Sequence, residues 1–208
     1  MCKFFGYGED AFTLWALKQH KSEILNFFRD KTPPSDCLVF YRPSFGRSGG
    51  EHSAEFGEFD AILVSFENIY LIESKWDNLA GFKNNEIELR QEQKIRHRIF
   101  SWYISHWDKK YYDNWESFVK EQMYDFQKEF KERKIAPTGS LLTTNLKFIL
   151  NTLQKHCLKF SSERNIKNVL LFFYNKNKSK LPTKISKGFN LISIDYSKGI
   201  EGNFINLD

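Results

Sequence analysis

The stretch Ala61–Trp76, "AILVSFENIYLIESKW", sets two short apolar runs rich in branched and aromatic residues around a polar break. That pattern reads as a β-hairpin of buried strands. Glu67-Asn68 is the expected two-residue turn, because Asn tolerates the positive φ such turns require. Facing residues then sum to 135, which sets Phe66 opposite Ile69, Ile62 opposite Glu73 and Asp60 opposite Lys75. Side chains alternate along a strand, so Asp60, Ile62, Val64 and Phe66 share one face with Ile69, Leu71, Glu73 and Lys75. The lower part of that face is apolar and its upper rim is charged. Two carboxylates held this close repel unless a divalent cation lies between them or a lysine neutralises them. Magnesium suits the first case, since it takes hard oxygen ligands and keeps several waters when one or two carboxylates bind it. The plain alternative is an Asp60–Lys75 salt bridge with Glu73 in solvent.

Around this hairpin the spacing predicts a helix from Glu9 to about Arg29, closed by Pro33-Pro34, and a strand at Cys37–Tyr41. A loop with four glycines and two arginines, Arg42 and Arg47, follows. Further helices are expected over Glu86–Trp107, Trp115 to about Lys134 and Leu141–Phe160, then strands at Val169–Tyr174 and Phe189–Tyr196. The expected class is α/β: one domain over residues 1–208, with a central mixed β-sheet of about five strands flanked by helices.

Several classes fall away. No apolar run approaches the roughly 18 residues of a membrane span, so a soluble, intracellular (cytoplasmic) protein is expected. The three cysteines, Cys2, Cys37 and Cys157, are odd in number and lack CxxC spacing, which argues against a disulfide framework or structural zinc. Cys157 follows His156, but neighbours on a helix point about 100° apart, so Cys157 is read as core. The formal charge of +5 is mild. Its distribution says more: from Arg164 to Lys198 eight basic residues stand against the single acid Asp195. Within that segment Lys176, Lys178, Lys180, Lys184 and Lys187 form a loop suited to backbone phosphates, with Arg42 and Arg47 able to reach the same groove.

The "EFD" that ends at Asp60, with "ESK" beginning thirteen positions on, on adjacent strands after an N-terminal helix, resembles the active-site pattern of the PD-(D/E)XK nuclease superfamily. That is the restriction-endonuclease-like fold, with an αβββαβ core. The resemblance implies Asp60, Glu73 and Glu9 as Mg²⁺ ligands with the Ser74 backbone carbonyl, Mn²⁺ as a substitute, and Lys75 beside the attacking water. Glu9 has a second reading, since an acid in a first helical turn stabilises the helix dipole whatever the function. Gln93 and His97, one turn apart on the helix after the ExK strand, and Glu58, two residues before Asp60, are secondary candidates. One departure is that Phe59 stands where the family name places a Pro. The order and size resemble small archaeal nucleases of the Holliday-junction-resolvase branch, or nucleases of archaeal viruses. The implied function is a Mg²⁺-dependent DNA endonuclease in recombination, repair, replication or restriction, working as a homodimer on duplex or branched DNA without a small-molecule cofactor or membrane. The alternative is a weakly active or inactive nucleic-acid-binding module of the same fold.

Overall fold

The computed structural model describes residues 3–46, 52–77, 86–111, 113–159 and 165–208. The chain opens with the short strand β1 (Phe5–Gly6) and the helix α1 (Gly8–Gln19), followed by α2 (Lys21–Phe27). The strands β2 (Leu38–Tyr41), β3 (Ser44–Phe45), β4 (Gly57–Glu58), β5 (Ala61–Val64), β6 (Ile69–Trp76) and β7 (Glu86–Ile87) come next. Three helices follow, α3 (Gln91–His106), α4 (Trp115–Glu129) and α5 (Leu141–His156). The chain ends in β8 (Ile166–Tyr174), β9 (Lys184–Ile185), β10 (Asn190–Asp195), β11 (Ile200–Glu201) and β12 (Phe204–Asn206).

The central sheet has five strands in the order β10-β8-β6-β5-β2. The pairs β2/β5 and β5/β6 are antiparallel, while β6/β8 and β8/β10 are parallel, so the sheet is mixed as expected. Its strands are apolar on both faces, and each face is covered. Ile62, Val64, Ile69 and Leu71 pack with the aromatic residues of α3 and α4 and the leucines of α5. Ala61, Leu63, Tyr70 and Ile72 pack with Phe12, Trp15 and Ala16 of α1 and Ile24 and Leu25 of α2. Burying each of the larger of these side chains contributes about 1.5–3 kcal/mol, which is what closes helices on both sides of a sheet. Cys157 is buried in the first of these cores. No helix among the described residues is long and apolar enough to cross a membrane.

Three sequence expectations need correction. The helix expected over Glu9–Arg29 breaks at His20, which leaves the helical region at φ −119° and packs its ring, tilted by 56°, 4.3 Å from that of Trp15. The break lets both halves turn their apolar side chains to the same sheet face. The helix expected from Glu86 begins only at Gln91, because Ile87 and Leu89 are drawn down onto Leu170 and Phe172 and β7 pairs with β9.

The hairpin register is the correction that matters for the site. Val64 faces Ile69 and Ala61 faces Ile72, so facing residues sum to 133 and the connection is the four-residue Ser65–Asn68. Asp30, at the end of the α2 turn, explains this. Its carboxylate accepts from Ser65 Oγ at 2.5 Å, Tyr70 OH at 2.6 Å and Asn68 Nδ2 at 2.7 Å. Ser65 and Asn68 are held as turn residues by a buried acid that hydrogen-bonds to both. A two-residue shift preserves which face every side chain takes, since the alternation has period two. It changes only who stands opposite whom.

Candidate active site

Carried one residue beyond the β5/β6 ladder, the register sets Asp60 against Glu73, not against Lys75. Asp60 Oδ2 accepts the Ser74 backbone N–H at 2.7 Å, which pins the carboxylate to the β6 strand. Glu73 sits at the same level with its side chain only 1% exposed. Such burial of an anion is tolerable only with close partners, and α3 supplies them. Gln93 Nε2 donates to Glu73 Oε2 at 2.7 Å and Arg96 Nη1 to Oε1 at 2.7 Å. His97 Nε2 lies 3.4 Å from Oε1, within ion-pair range but without hydrogen-bond alignment, while Nδ1 is 2.8 Å from Asn168 Oδ1. Gln93 is locked at its other end too, its Oε1 accepting the Arg90 N–H at the start of α3.

The two facing carboxylates have opposite electrostatic fates. Burial alone raises both. At Glu73 the nearby His97, Arg96 and Lys75 outweigh it and hold the group below its ordinary value. At Asp60 burial and then the Glu73 charge push the pKa up to about 7, against the pull of the Ser74 N–H and Lys75. The site therefore holds one firmly ionised carboxylate and one that keeps its proton until near neutrality.

Lys75 leaves the sheet rim toward α1. Its Nζ lies 3.2 Å from Glu9 Oε1 and also donates to the Ser74 carbonyl. The simple Asp60–Lys75 bridge with a solvated Glu73 is thus not what forms. Glu9 is fixed by the first turn of α1. Thr13, one turn on, donates to the Glu9 carbonyl, and its hydroxyl lies 2.7 Å from Ser74 Oγ. The Ser74 side chain ties β6 to α1, while its backbone N–H and carbonyl serve Asp60 and Lys75. Burial raises the Glu9 pKa, with Lys75 pulling against it. Glu9 Oε2 is buried without a hydrogen-bond partner.

Glu9, Asp60, Glu73, Lys75, Gln93 and Glu58 all line one pocket of about 320 Å³ at the end of the sheet. His97 lies behind Glu73, buried, with its ring 4.9 Å from Phe59. Glu58 is taken up by Arg42, which also pairs with Asp10, so neither residue is free in the sense the sequence suggested. Arg47 lies outside the described residues. The lysine loop leaves the end of β8, level with Lys75 and the pocket, and returns to the start of the parallel strand β10, where the Gly188 carbonyl accepts from Asn168. Lys176, Lys178 and Lys180 therefore follow the pocket's end of the sheet, while Lys187 lies toward the other. Lys176 and Lys184 have acid partners, Asp195 at 3.4 Å and Glu86 at 3.5 Å. Lys178, Lys180 and Lys187 are exposed.

Sequence reading missed Arg96, Thr13 and the use of Phe59. Arg96 had a visible signal: it stands three residues after Gln93, a spacing that brings the two side chains together on a helix. Phe59, in the position of the family's Pro, is fully buried against Phe45, His97 and Phe100. Its ring also lies 5.7 Å from the Arg96 guanidinium, so it shapes the seat of the α3 residues.

Among the described residues no three His, Cys, Asp or Glu side chains form a ready-made metal-ligand group. The donors of the pocket nonetheless suit Mg²⁺, which needs only one or two carboxylates and fills the rest with water. Asp60 is disfavoured as an anion and Glu9 Oε2 has no partner, and a hard cation relieves both conditions. No protein-family model, curated protein or solved structure matches the chain.

Proposed function

We propose that this chain is a Mg²⁺-dependent endonuclease that hydrolyses DNA phosphodiester bonds, of the PD-(D/E)XK kind that its Asp60 and Glu73-Ser74-Lys75 spacing resembles. The observation that supports it most is the facing pair Asp60–Glu73, with Lys75 and the unpartnered Glu9 oxygen in the same pocket. Nothing in the packing requires two acids at one end of the sheet with a third on α1 beside them, and holding them there costs stability.

Hydrolysis adds water across a P–O ester bond. The water oxygen bonds to phosphorus, the bond to the leaving sugar oxygen breaks, and a proton from the water ends on that oxygen. Asp60 and Glu73, with Glu9 and the Ser74 carbonyl beside them, would hold Mg²⁺ or Mn²⁺, which when bound polarises the phosphate and lowers the pKa of water. Gln93 and Arg96 keep the Glu73 carboxylate oriented and ionised. Lys75, anchored at Glu9 and the Ser74 carbonyl and 19% exposed, orients the attacking water and offsets charge growing on the phosphate. The Lys176–Lys180 part of the loop, at the same end of the sheet, binds flanking phosphates. Cutting both strands of duplex or branched DNA with one site per chain calls for a symmetric dimer.

A second reading has an observation behind it. Both Glu73 oxygens are already engaged by Gln93 and Arg96, which favours a weakly active or inactive nucleic-acid-binding module. Incubating supercoiled plasmid, a four-way junction and single-stranded DNA with Mg²⁺ or Mn²⁺ separates the two. Metal-dependent cleavage lost in both Lys75→Ala and Glu73→Ala supports the nuclease. Salt-sensitive binding without cleavage supports the module, and neither cleavage nor binding sinks both.

A further inference from the structure

Arg96 is more than a counter-ion for Glu73. Of its five N–H donors, Nε donates to the Phe56 carbonyl at 3.3 Å, and Nη1 donates to Glu73 Oε1 at 2.7 Å and to the Glu58 carbonyl. The ring of Phe59 lies 5.7 Å from the guanidinium carbon. Three donors fix the plane, so the direction of the remaining two, both on Nη2, is set in advance. Among the described residues Nη2 has no acceptor.

The Nη2 edge lies against Gly57, and both residues line the pocket of Asp60 and Lys75. A Cβ on residue 57 would stand 3.0 Å from Nη2 and 3.0 Å from Nε, and φ there is +99°, so the backbone beside the guanidinium is one that a side chain would obstruct. The side chain is 14% exposed, enough to meet a ligand from the pocket and too little for water to screen the contact fully. Lys75 and Arg42, the other cations lining the pocket, are each already spread over two acceptors.

We propose that Arg96 Nη2 donates to a non-bridging oxygen of a DNA phosphate seated in the pocket beside Asp60 and Lys75. This rests on the nucleic-acid reading of the site and names the group that meets the phosphate. A planar fork with its plane already fixed suits a phosphate oxygen better than a flexible ammonium does.

The test removes the structural role of Arg96 first. Glu73→Gln takes away the buried charge that Arg96 supports, so a further change at Arg96 reports its own contact. Binding of a short DNA duplex is followed by fluorescence anisotropy without divalent ions, across about 50 to 200 mM salt, with thermal melts confirming that each variant is folded. Glu73→Gln/Arg96→Gln is expected to bind about tenfold more weakly than Glu73→Gln, with a log–log salt slope shallower by about one. Glu73→Gln/Arg96→Lys, which keeps the charge and loses the fixed fork, is expected to keep the slope and lose affinity several-fold. Equal affinity and slope in all three variants overturn the proposal, as does a Glu73→Gln protein that does not bind DNA. Wild-type cleavage is scored separately: if the slope changes as expected but the wild type does not cut, the nuclease reading fails and the Arg96 contact stands.

Discussion

Lys75 Nζ lies 3.2 Å from Glu9 Oε1, so the lysine at the end of β6 is anchored by the first turn of α1 and not by the acid two strand positions away. The pair is partly exposed, and such pairs contribute about 0–1 kcal/mol. Lys75→Ala is therefore expected to shift the melting temperature little. If the nuclease reading holds, the same change lowers the cleavage rate by about two to three orders of magnitude, the scale seen when one transition-state donor is removed. Plasmid nicking rates read beside thermal melts check this, and a Lys75→Ala protein that cuts at the wild-type rate assigns the lysine a structural role.

Glu73→Ala differs in kind from Lys75→Ala. It strands Arg96 beside a buried, empty carboxylate seat and leaves Gln93 without its acceptor. Removing one partner of a buried ion pair costs about 3–5 kcal/mol. The expected result is loss of activity together with a clear drop in urea midpoint. Glu73→Gln, which keeps the shape and an acceptor for one of the two donors, is expected to lose activity with a smaller drop.

Asp30 holds the hairpin turn by accepting from Ser65, Asn68, Tyr70 and the Thr32 N–H. Burial raises its pKa, but these hydrogen bonds outweigh that and lower it to about 2. A depressed carboxylate contributes stability that is fully present above its unfolded value, near 4, and is lost as pH falls toward the folded value. Asp30→Asn places an amide donor among hydroxyl and amide donors. It is expected to cost about 2–4 kcal/mol at pH 7 and to flatten the acid limb of the stability profile. Urea unfolding from pH 7 down to about pH 3 measures both, and a profile parallel to the wild type's would show that Asp30 is not the acid-labile group.

Asp30 also marks where the sequence stopped being legible. The hairpin, its faces and the meeting of Asp60, Glu73 and Lys75 followed from alternation, because period-two patterning survives a register shift of two. The register itself did not, since it depends on a carboxylate 35 residues upstream of Ser65 that no local pattern connects to the turn. The start of α3 failed for a similar reason: Ile87 and Leu89 fit a helical pattern but are claimed by Leu170 and Phe172 from β8. The sheet of β1, β12 and β11 was unreadable because strands of two or three residues carry no periodicity. Glu9 was legible as an acid in a first turn, but its pairing with Lys75 needed the α1–β6 contact made through Thr13 and Ser74.

Asp60 makes the opposite pH prediction to Asp30. Its pKa is pushed up to about 7 by burial and then by Glu73. A carboxylate raised in the folded state binds its proton more tightly there than in the unfolded chain, so stability falls as pH rises from about 4 to about 7 and stays reduced above. In EDTA at pH 8, Asp60→Asn is expected to be more stable than wild type by on the order of 2 kcal/mol, an amount below the full shift because the pair with Glu73 is coupled. At pH 4 the two proteins are expected to match. Adding Mg²⁺ at pH 8 is expected to stabilise the wild type by about 1.4 kcal/mol at ten times its dissociation constant and to leave Asp60→Asn nearly unmoved. Equal responses of the two proteins would remove Asp60 from the cation site.

The lysine loop divides into two sets by its neighbours. Lys176 and Lys184 stand within 3.4 Å and 3.5 Å of Asp195 and Glu86, so a phosphate that approaches either must compete with a carboxylate. Lys178, Lys180 and Lys187 are exposed and have no such acid among the ion pairs of the described residues. Each phosphate neutralised on duplex DNA adds about 0.9 to the log–log salt slope of binding. The triple variant Lys178→Ala/Lys180→Ala/Lys187→Ala is expected to lower that slope by about two to three. Lys176→Ala/Lys184→Ala is expected to lower it by less than one, because the freed acids also turn repulsive toward DNA only at close range in salt. If the nuclease reading holds and the loop meets only phosphates away from the chemistry, cleavage by the triple variant at saturating low-salt concentrations is expected to keep its turnover while its affinity falls. If turnover and affinity fall together, the loop reaches into the pocket itself and belongs to the reacting site.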